Sequence, residues 1–295
     1  MPGSHDTGPA WSPLVAGADG DVVLAVDFAA TGRREATFAE LAGLLPGSFD
    51  VRQAVPPPDV PATGPEDDRA RHYLHRWAGQ VAYGPTARPV RAVLGYCAGC
   101  VFASRLADIV ERRQGARPVL LLFDPEVPGV ANLDRDIRRA VGGMDGVHEE
   151  ERAELLREIG RIRDAAGDDF DKAAEAFVAL YREAYATALA RMGVGGDFAE
   201  QLTRLFRSYA GYLSAARRLG PGPGWASATS LLSAGATGGR TGGRTGGRTG
   251  GRTGGRTGRE IRFPVSQEDL LRDPGVARTA FELISPPEMT DDHQP

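Results

Sequence analysis

Short apolar runs alternate with amphipathic segments along the part of the chain that ends near Pro125. The apolar runs are rich in β-branched residues and bounded by Gly or Pro, which is typical of buried strands. The amphipathic segments have the spacing of helices that pack on one face. The predicted strands are 21–28, 49–55, 90–94 and 118–125, and the predicted helices are 37–45, 66–81 and 101–113. Strands and helices that alternate in this way favour an α/β fold with a mostly parallel sheet.

The pattern changes between Asn132 and Gly220, where no strand is predicted. Three or four amphipathic helices are expected, and three can be placed, at 149–166, 170–192 and 198–219. A helical insertion between two strands of a sheet is typical of a lid over an active site. The sheet is then expected to resume at Trp225–Ala234.

The end of the chain predicts a last strand at Glu260–Pro264 and a closing helix at Gln267–Ile284. The predicted organisation is a disordered tail at 1–20, the first part of the core at 21–131, a helical lid at 132–220, the last part of the core at 221–286 and a tail at 287–295.

A repeat interrupts the last part of the core at 237–259, where five Thr-Gly-Gly-Arg units run from Thr237 to Arg256. Half of its residues are Gly, so ordering it would cost much conformational entropy, and we expect disorder. Gly-Arg tracts can bind RNA through charge. This one has no aromatic residue to stack on bases, so we favour a repeat expansion in a tolerant loop and expect no nucleic-acid partner.

The chain has 295 residues, of which 41% are hydrophobic, which suits one sizeable domain or a domain with an insertion. No apolar run approaches the roughly 20 residues that cross a membrane. The first residues lack the basic start and apolar stretch of a secretory signal. Two cysteines do not make a disulfide scaffold. We therefore expect a cytoplasmic protein without a membrane partner.

The strongest chemical motif is Gly95-Tyr96-Cys97-Ala98-Gly99, which lies between a predicted strand and a predicted helix. Gly-x-nucleophile-x-Gly at such a junction is typical of a nucleophile elbow. The glycines are expected where a side chain would strike the neighbouring strand or helix. Cys97 would be the nucleophile, at a helix N-terminus whose dipole lowers a thiol pKa.

Acyl transfer also needs oxyanion donors and an orienting carboxylate. The backbone N–H of Ala98 is one expected donor, and the second is expected in the loop at Ala29–Ala30. Asp124 is the candidate carboxylate, because it follows the next predicted strand, 27 residues after Cys97. Catalytic groups gather at that edge of an open parallel sheet.

These features resemble the thioesterase domains of nonribosomal peptide and polyketide synthases and their type II relatives. The resemblance covers about 21–286 and rests on the motif around Cys97, on Phe123-Asp124-Pro125 and on the helical block after Asn132. It implies an α/β-hydrolase fold with a helical lid, and no cofactor or metal. It also implies action on acyl or peptidyl thioesters of carrier proteins in secondary-metabolite biosynthesis.

The sequence departs from that family at the catalytic base. The family's His comes three residues before a Leu-Leu pair, and the pair Leu270-Leu271 places Gln267 there. None of the five histidines of the chain fits this position well: they are His5, His72, His75, His148 and His293. His148 precedes a predicted helix of the lid and is the alternative base, if it swings over the site. A thiol depends less on a base than a hydroxyl does, so Cys97 could still be acylated while deacylation by water slows. Two hypotheses follow, an acyl-transfer enzyme and a degenerate thioesterase fold that binds a carrier protein or synthase.

Cys97 and Cys100 also form a Cys-x-x-Cys pair at a strand–helix junction, as in thioredoxin-like proteins. The flanking glycines and the long helical block favour the elbow over a redox enzyme. A disulfide between the two that switches off the nucleophile is compatible with the elbow. Metal binding is disfavoured, because no His lies near the two cysteines.

Overall fold

A seven-stranded sheet in the order β1-β3-β2-β4-β5-β6-β7 organises the chain. The computed structural model describes residues 8–18, 20–29, 33–47, 49–57, 66–83, 87–236 and 258–285. All neighbouring strands are parallel except β1 and β3, which are antiparallel. The strands are β1 (Trp11–Val15), β2 (Val22–Val26), β3 (Asp50–Ala54), β4 (Val90–Tyr96), β5 (Val119–Phe123), β6 (Thr229–Leu232) and β7 (Arg259–Arg262).

Helices flank the central strands, as the apolar runs require. Every residue of β2 is buried, and four of the five residues of β5 are too, which fits strands covered on both faces. The flanking helices are α1 (Phe38–Leu44), α2 (Glu66–Gly79), α3 (Gly99–Gln114) and α8 (Pro274–Ile284). Residues of α1 and α8 share one apolar cluster with β2, β4 and β5. Phe102 of α3 packs edge-on against Trp77 of α2, with ring centroids 5.4 Å apart.

The expected disordered tail at 1–20 is wrong for its described part, because Trp11–Val15 forms the edge strand β1. Trp11 is only 8% exposed, and its indole N–H donates to the carbonyl of Trp77 at 3.0 Å. The buried indole and the pairing with β3 outweigh the Gly- and Pro-rich composition that predicted disorder.

The chain divides into two compact units. The first comprises residues 1–57, 73–126 and 221–295, and the second comprises 58–72 and 127–220. The main part of the second unit holds the helical block predicted at 132–220, and its role as a lid remains a prediction. Its helices are α4 (Val130–Gly142), α5 (Glu149–Ala166), α6 (Phe170–Arg191) and α7 (Gly196–Leu219). The most extensive packing is between α6 and α7, where Tyr181 stacks on Phe206 with centroids 4.5 Å apart.

The last part of the core differs from the prediction at two places. Trp225 lies in a 3₁₀-helix, Pro223–Ser227, and the strand begins only at Thr229. The closing helix is split, because Asp273 caps a new helix that starts at Pro274, after a short 3₁₀ turn. The Asp273 carboxylate accepts from the N–H of Val276 at 2.9 Å.

Strands β6 and β7 are consecutive in the chain and parallel, so the chain returns from the carboxyl end of one to the amino end of the other between Leu232 and Arg259. The disorder predicted at 237–259 falls, up to residue 257, outside the described residues. It is wrong at the end of that range, because Arg259 is the first residue of β7 and pairs with Thr229. Across the described part of the chain, no helix combines the length and apolar character that a bilayer crossing needs.

Candidate active site

The turn between β4 and α3 has the geometry expected of a nucleophile elbow. Cys97, at its apex, has a φ of 50°, in the left-handed region that side chains other than Gly rarely adopt. A Cβ added to Gly95 would lie 2.6 Å from the Cα of Cys100, so no side chain fits there. The prediction that Gly95 is sterically required is confirmed. Gly99 is buried at the first position of α3.

Backbone hydrogen bonds hold Cys97 against the end of β5. Its N–H donates to the carbonyl of Phe123 at 2.9 Å, and its own carbonyl accepts from the N–H of Cys100 at 3.1 Å. The strained torsion is therefore held from both sides, which is typical of catalytic residues. Cys97 remains partly exposed, as a nucleophile must be.

Asp124 follows β5 directly and also has a left-handed torsion, with φ at 44°. Its Oδ1 accepts from the N–H of Ser233 at 2.8 Å. Its Oδ2 is buried and has no hydrogen-bond partner among the described residues. Burial raises the pKa of this carboxyl above its ordinary value, and the hydrogen bonding with Ser233 opposes that shift. The unpaired Oδ2 is where an orienting carboxylate would hold an imidazole.

The site also contains Glu126, which the sequence analysis missed. The Cys97 thiol donates to its Oε2, with sulfur and oxygen 3.4 Å apart. The N–H of Glu126 donates to the carbonyl of Cys97, also at 3.4 Å. The available signal was its position two residues after Asp124, at the edge of the sheet where catalytic groups gather. The nucleophile is thus in contact with a carboxylate side chain.

Gln267 lies beside the elbow, because the hydroxyl of Tyr96 donates to its backbone carbonyl at 3.2 Å. Burial raises the pKa of the Tyr96 phenol, so the hydroxyl stays a donor. The structure therefore brings the loop of Gln267 to the residue that precedes the nucleophile.

None of the three described histidines hydrogen-bonds to Asp124. His72 and His75 are exposed on α2, and His148 is exposed at the N-terminus of α5. His5 and His293 lie outside the described residues. The site as described holds a thiol and two carboxylates.

The two expected oxyanion donors lie at the same edge of the sheet. Ala98 caps α3, and no described backbone carbonyl accepts its N–H. Ala29 follows β2, which pairs with β4 so that Val26 lies opposite Gly95. Ala30 lies outside the described residues. The assignment of Ala98 and Ala29 as oxyanion donors stays a prediction.

A buried ion pair ties the loop after β2 to the elbow. Arg33 contacts Asp27 at 2.7 Å and donates to the carbonyl of Ala36, also at 2.7 Å. Its guanidinium lies over the ring of Tyr96, 5.3 Å from the centroid. Burial raises the pKa of the Asp27 carboxyl, and the charge of Arg33 opposes that shift. Arg33 thus anchors the segment that is expected to supply the second oxyanion donor.

Cys100 plays a different part from Cys97. It is buried, its thiol donates to the carbonyl of Phe123 at 3.6 Å, and burial raises its pKa well above the ordinary value. The two cysteines do not form a disulfide with each other. A deeply buried thiol with a raised pKa is inert, which disfavours a Cys-x-x-Cys redox role. The described residues contain no cluster of three His, Cys, Asp or Glu side chains placed to hold a metal ion.

Comparison with known proteins gives structural matches only. No family model matches the chain, and no curated protein matches it either. Among solved structures, a four-domain nonribosomal peptide synthetase bound to AMP and glycine matches with a TM-score of 0.50 at 15% identity. That match covers 95% of this chain and 20% of the synthetase.

Thioesterase structures also match, at lower TM-scores. The Vlm2 thioesterase domain with a bound dodecadepsipeptide is 17% identical, with 93% of this chain and 96% of that chain covered and a TM-score of 0.45. The RedJ thioesterase of the prodiginine pathway in Streptomyces coelicolor is 15% identical, and the match covers 89% of this chain and 85% of that chain with a TM-score of 0.38. The mostly parallel sheet, the strained strand–turn–helix junction and the match to the synthetase establish that this chain has an α/β-hydrolase fold.

Proposed function

We propose that the protein is a thioesterase-like acyl hydrolase or acyl transferase that uses Cys97 as its nucleophile. The observation that carries the proposal is the strained torsion of Cys97 at the apex of the elbow. Its backbone is fixed to the end of β5 and its thiol is partly exposed, which is the arrangement for attack on a carbonyl carbon. The expected substrate is an acyl or peptidyl thioester on the phosphopantetheine of a carrier protein, in secondary-metabolite biosynthesis.

In the proposed reaction the Cys97 sulfur attacks the thioester carbonyl, the bond to the pantetheine sulfur breaks, and an acyl-enzyme and a free pantetheine thiol result. The negative charge that develops on the carbonyl oxygen would be met by the N–H of Ala98 and a donor near Ala29. The N-terminus of α3, which begins at Gly99, adds a favourable dipole. Water or another nucleophile then takes the acyl group. A cytoplasmic site of action stays a prediction from the sequence.

Intact mass spectrometry after incubation with acyl-pantetheine thioesters tests this proposal. We expect wild type to gain the mass of one acyl group. The adduct should be absent from Cys97→Ala and retained by Cys100→Ala, because Cys100 is buried and held by Phe123. No adduct on wild type, or an adduct that survives Cys97→Ala, would disprove the proposal.

A second candidate function is a degenerate thioesterase fold that binds a carrier protein or synthase without turnover. The observation that favours it is the buried, unpaired Oδ2 of Asp124, which no described imidazole contacts. The substitution Gln267→His tests it, because this loop lies against Tyr96. If a base has been lost, we expect the variant to hydrolyse the acyl-enzyme at least about tenfold faster than wild type. A wild type as fast as the variant would reject this candidate.

A further inference from the structure

The side chain of Glu126 is in polar contact with the nucleophile, and two hydrogen bonds join the two residues. Its Oε2 accepts from the Cys97 thiol at 3.4 Å. Its N–H donates to the carbonyl of the same cysteine at 3.4 Å. Because the N–H of Cys97 is also bound to the carbonyl of Phe123, two backbone hydrogen bonds tie Cys97 to the short segment from Phe123 to Glu126. The separation of the thiol and the carboxylate is therefore set by the fold of the elbow.

We propose that Glu126 is the proton acceptor for Cys97, in the role that the family resemblance assigns to an imidazole. This inference rests on the proposed function. It makes the site a Cys97–Glu126 pair and leaves Asp124 outside the proton transfer, since one Asp124 oxygen is bound to Ser233 and the other is buried.

The chemistry of the two groups suits a thiol and would not suit a hydroxyl. In model peptides a thiol has a pKa of about 8.5 and a glutamate carboxyl about 4.3, so a carboxylate cannot keep a standing thiolate, but it can take the proton as the sulfur attacks. A Ser hydroxyl is a far weaker acid and would need a stronger base. The Cys in place of Ser and the carboxylate in place of His thus form a consistent pair of changes.

The proton follows a closed path during acylation. As the Cys97 sulfur forms its bond to the thioester carbonyl carbon, its proton passes to Glu126 Oε2. The bond between that carbon and the pantetheine sulfur then breaks, and the leaving thiolate takes the proton from Glu126. One thioester has become another, a free thiol has been released, and Glu126 is again a carboxylate. In deacylation, water attacks the acyl carbon and passes its proton to Glu126, and the departing Cys97 thiolate takes that proton.

Asp124 supports this assignment through charge. The charge of Glu126 contributes to the raised pKa of the Asp124 carboxyl, so the two carboxylates repel each other. When Glu126 takes the proton, this repulsion falls, while the charge that moves to sulfur meets the N-terminus of α3.

The test compares two reactions of the same thiol in a Cys100→Ala background, where Cys97 is the remaining cysteine of the two. One reaction is acylation by an acyl-pantetheine thioester and the other is alkylation by iodoacetamide, which measures the thiolate. We expect Glu126→Gln to slow acylation by about tenfold or more, because a general base is lost. The same change should speed alkylation severalfold near neutral pH, because a negative charge beside the thiol is lost.

Two further variants complete the experiment. Glu126→Asp keeps the negative charge but shortens the side chain by one methylene, so the carboxylate lies farther from the thiol. Acylation should be slower than in the background protein, while the rate of alkylation should stay close to that of the background protein. Glu150→Gln removes an exposed carboxylate on α5 and should change neither rate.

The opposite signs of the two effects decide the outcome. A Glu126→Gln variant that is acylated as fast as the background protein, or faster, overturns the role of Glu126 and leaves the proposed function intact. A fall in both rates also overturns it, because it marks a distorted elbow. A background protein that no thioester acylates overturns the proposed function, and with it this inference.

Discussion

Cys97 adopts a backbone torsion that only Gly adopts without strain. We therefore expect Cys97→Gly to be more stable than Cys97→Ala, by up to about 1 kcal/mol, because the Gly relaxes the left-handed torsion. Urea unfolding of the two variants measures the difference.

The same pair of substitutions at Cys100 provides the control. Cys100 lies inside α3, where Gly is about 1 kcal/mol less favourable than Ala. The sign of the difference should therefore reverse between the two positions. The same sign at both would show that Cys97 is not strained.

Gly95 marks how closely β4 and α3 approach each other. Gly95→Ala places a methyl group 2.6 Å from a backbone atom of Cys100, which cannot move aside as a side chain does. We expect a loss of about 1–3 kcal/mol in the free energy of unfolding. Gly43→Ala is the control, since it lies in α1 with no atom within 4 Å and should be neutral or slightly stabilising. Equal effects of the two substitutions would contradict the close approach.

The raised pKa of Asp124 predicts a pH dependence of stability. Its folded-state pKa lies above the unfolded value, so folding binds its proton more tightly. The stability that the Asp124 carboxyl contributes is fully present below its unfolded-state pKa, and it is lost as the pH rises through its folded-state pKa.

Urea unfolding of wild type and Asp124→Asn from about pH 3 to pH 7 measures this effect. The free energy of unfolding of wild type, relative to the variant, should fall as pH increases. Asp145→Asn, at an exposed position on the turn after α4, should show no such trend. A flat difference for Asp124→Asn would contradict the cost of burial.

Residue patterns led to two members of the candidate site, Cys97 and Asp124, and did not point to Glu126. Cys97 and Asp124 could be found because each follows a buried strand at a fixed place in a known motif. Glu126 could not, because its contact with Cys97 depends on how the loop after β5 folds back, through the bond from its N–H to the carbonyl of Cys97. A single hydrogen bond between two residues far apart in the chain produces no repeating pattern in the sequence.

At the scale of elements, β1 is the strand that the composition of residues 1–20 did not predict. Trp11→Ala should lower the free energy of unfolding by about 3 kcal/mol or more, because a buried indole and its hydrogen bond to Trp77 are lost. Ser12→Ala, at the exposed neighbouring position of the strand, should change it by less than about 0.5 kcal/mol. Thermal unfolding of both variants tests this, and similar midpoints would show that β1 adds little to the sheet.

Long amphipathic helices were predicted well from the sequence, and short elements were not. The helix α5 has the bounds that its pattern predicted, Glu149–Ala166. The closing helix was predicted as one piece because Leu270 and Leu271 fit its apolar period. Asp273 caps a new helix that begins at Pro274, and this interrupts the apolar pattern. A local cap of this kind overrides a helical pattern that is only a few residues long.

At the scale of the whole molecule, the order of the sheet limits how short the repeat can be. Strands β6 and β7 are consecutive and parallel, and a connection between two such strands needs about a dozen or more residues. Removal of two of the five repeat units should change the free energy of unfolding by less than about 1 kcal/mol, because loop entropy depends weakly on length.

Removal of all five units should be far more damaging. It leaves six residues, 233–236 and 257–258, to join Leu232 to Arg259. Denaturant unfolding of the two deletions measures both effects. A full deletion as stable as wild type would contradict the parallel pairing of β6 and β7.

The parallel pairing of β6 and β7 has a consequence for the history of this chain. A tandem repeat gains and loses whole units easily during DNA replication, and each unit here adds four residues to a connection that has a minimum length but no sharp maximum. Selection on folding therefore removes alleles with too few units and tolerates those with more. The number of units is expected to vary among close relatives, with a floor set by the geometry of two strands.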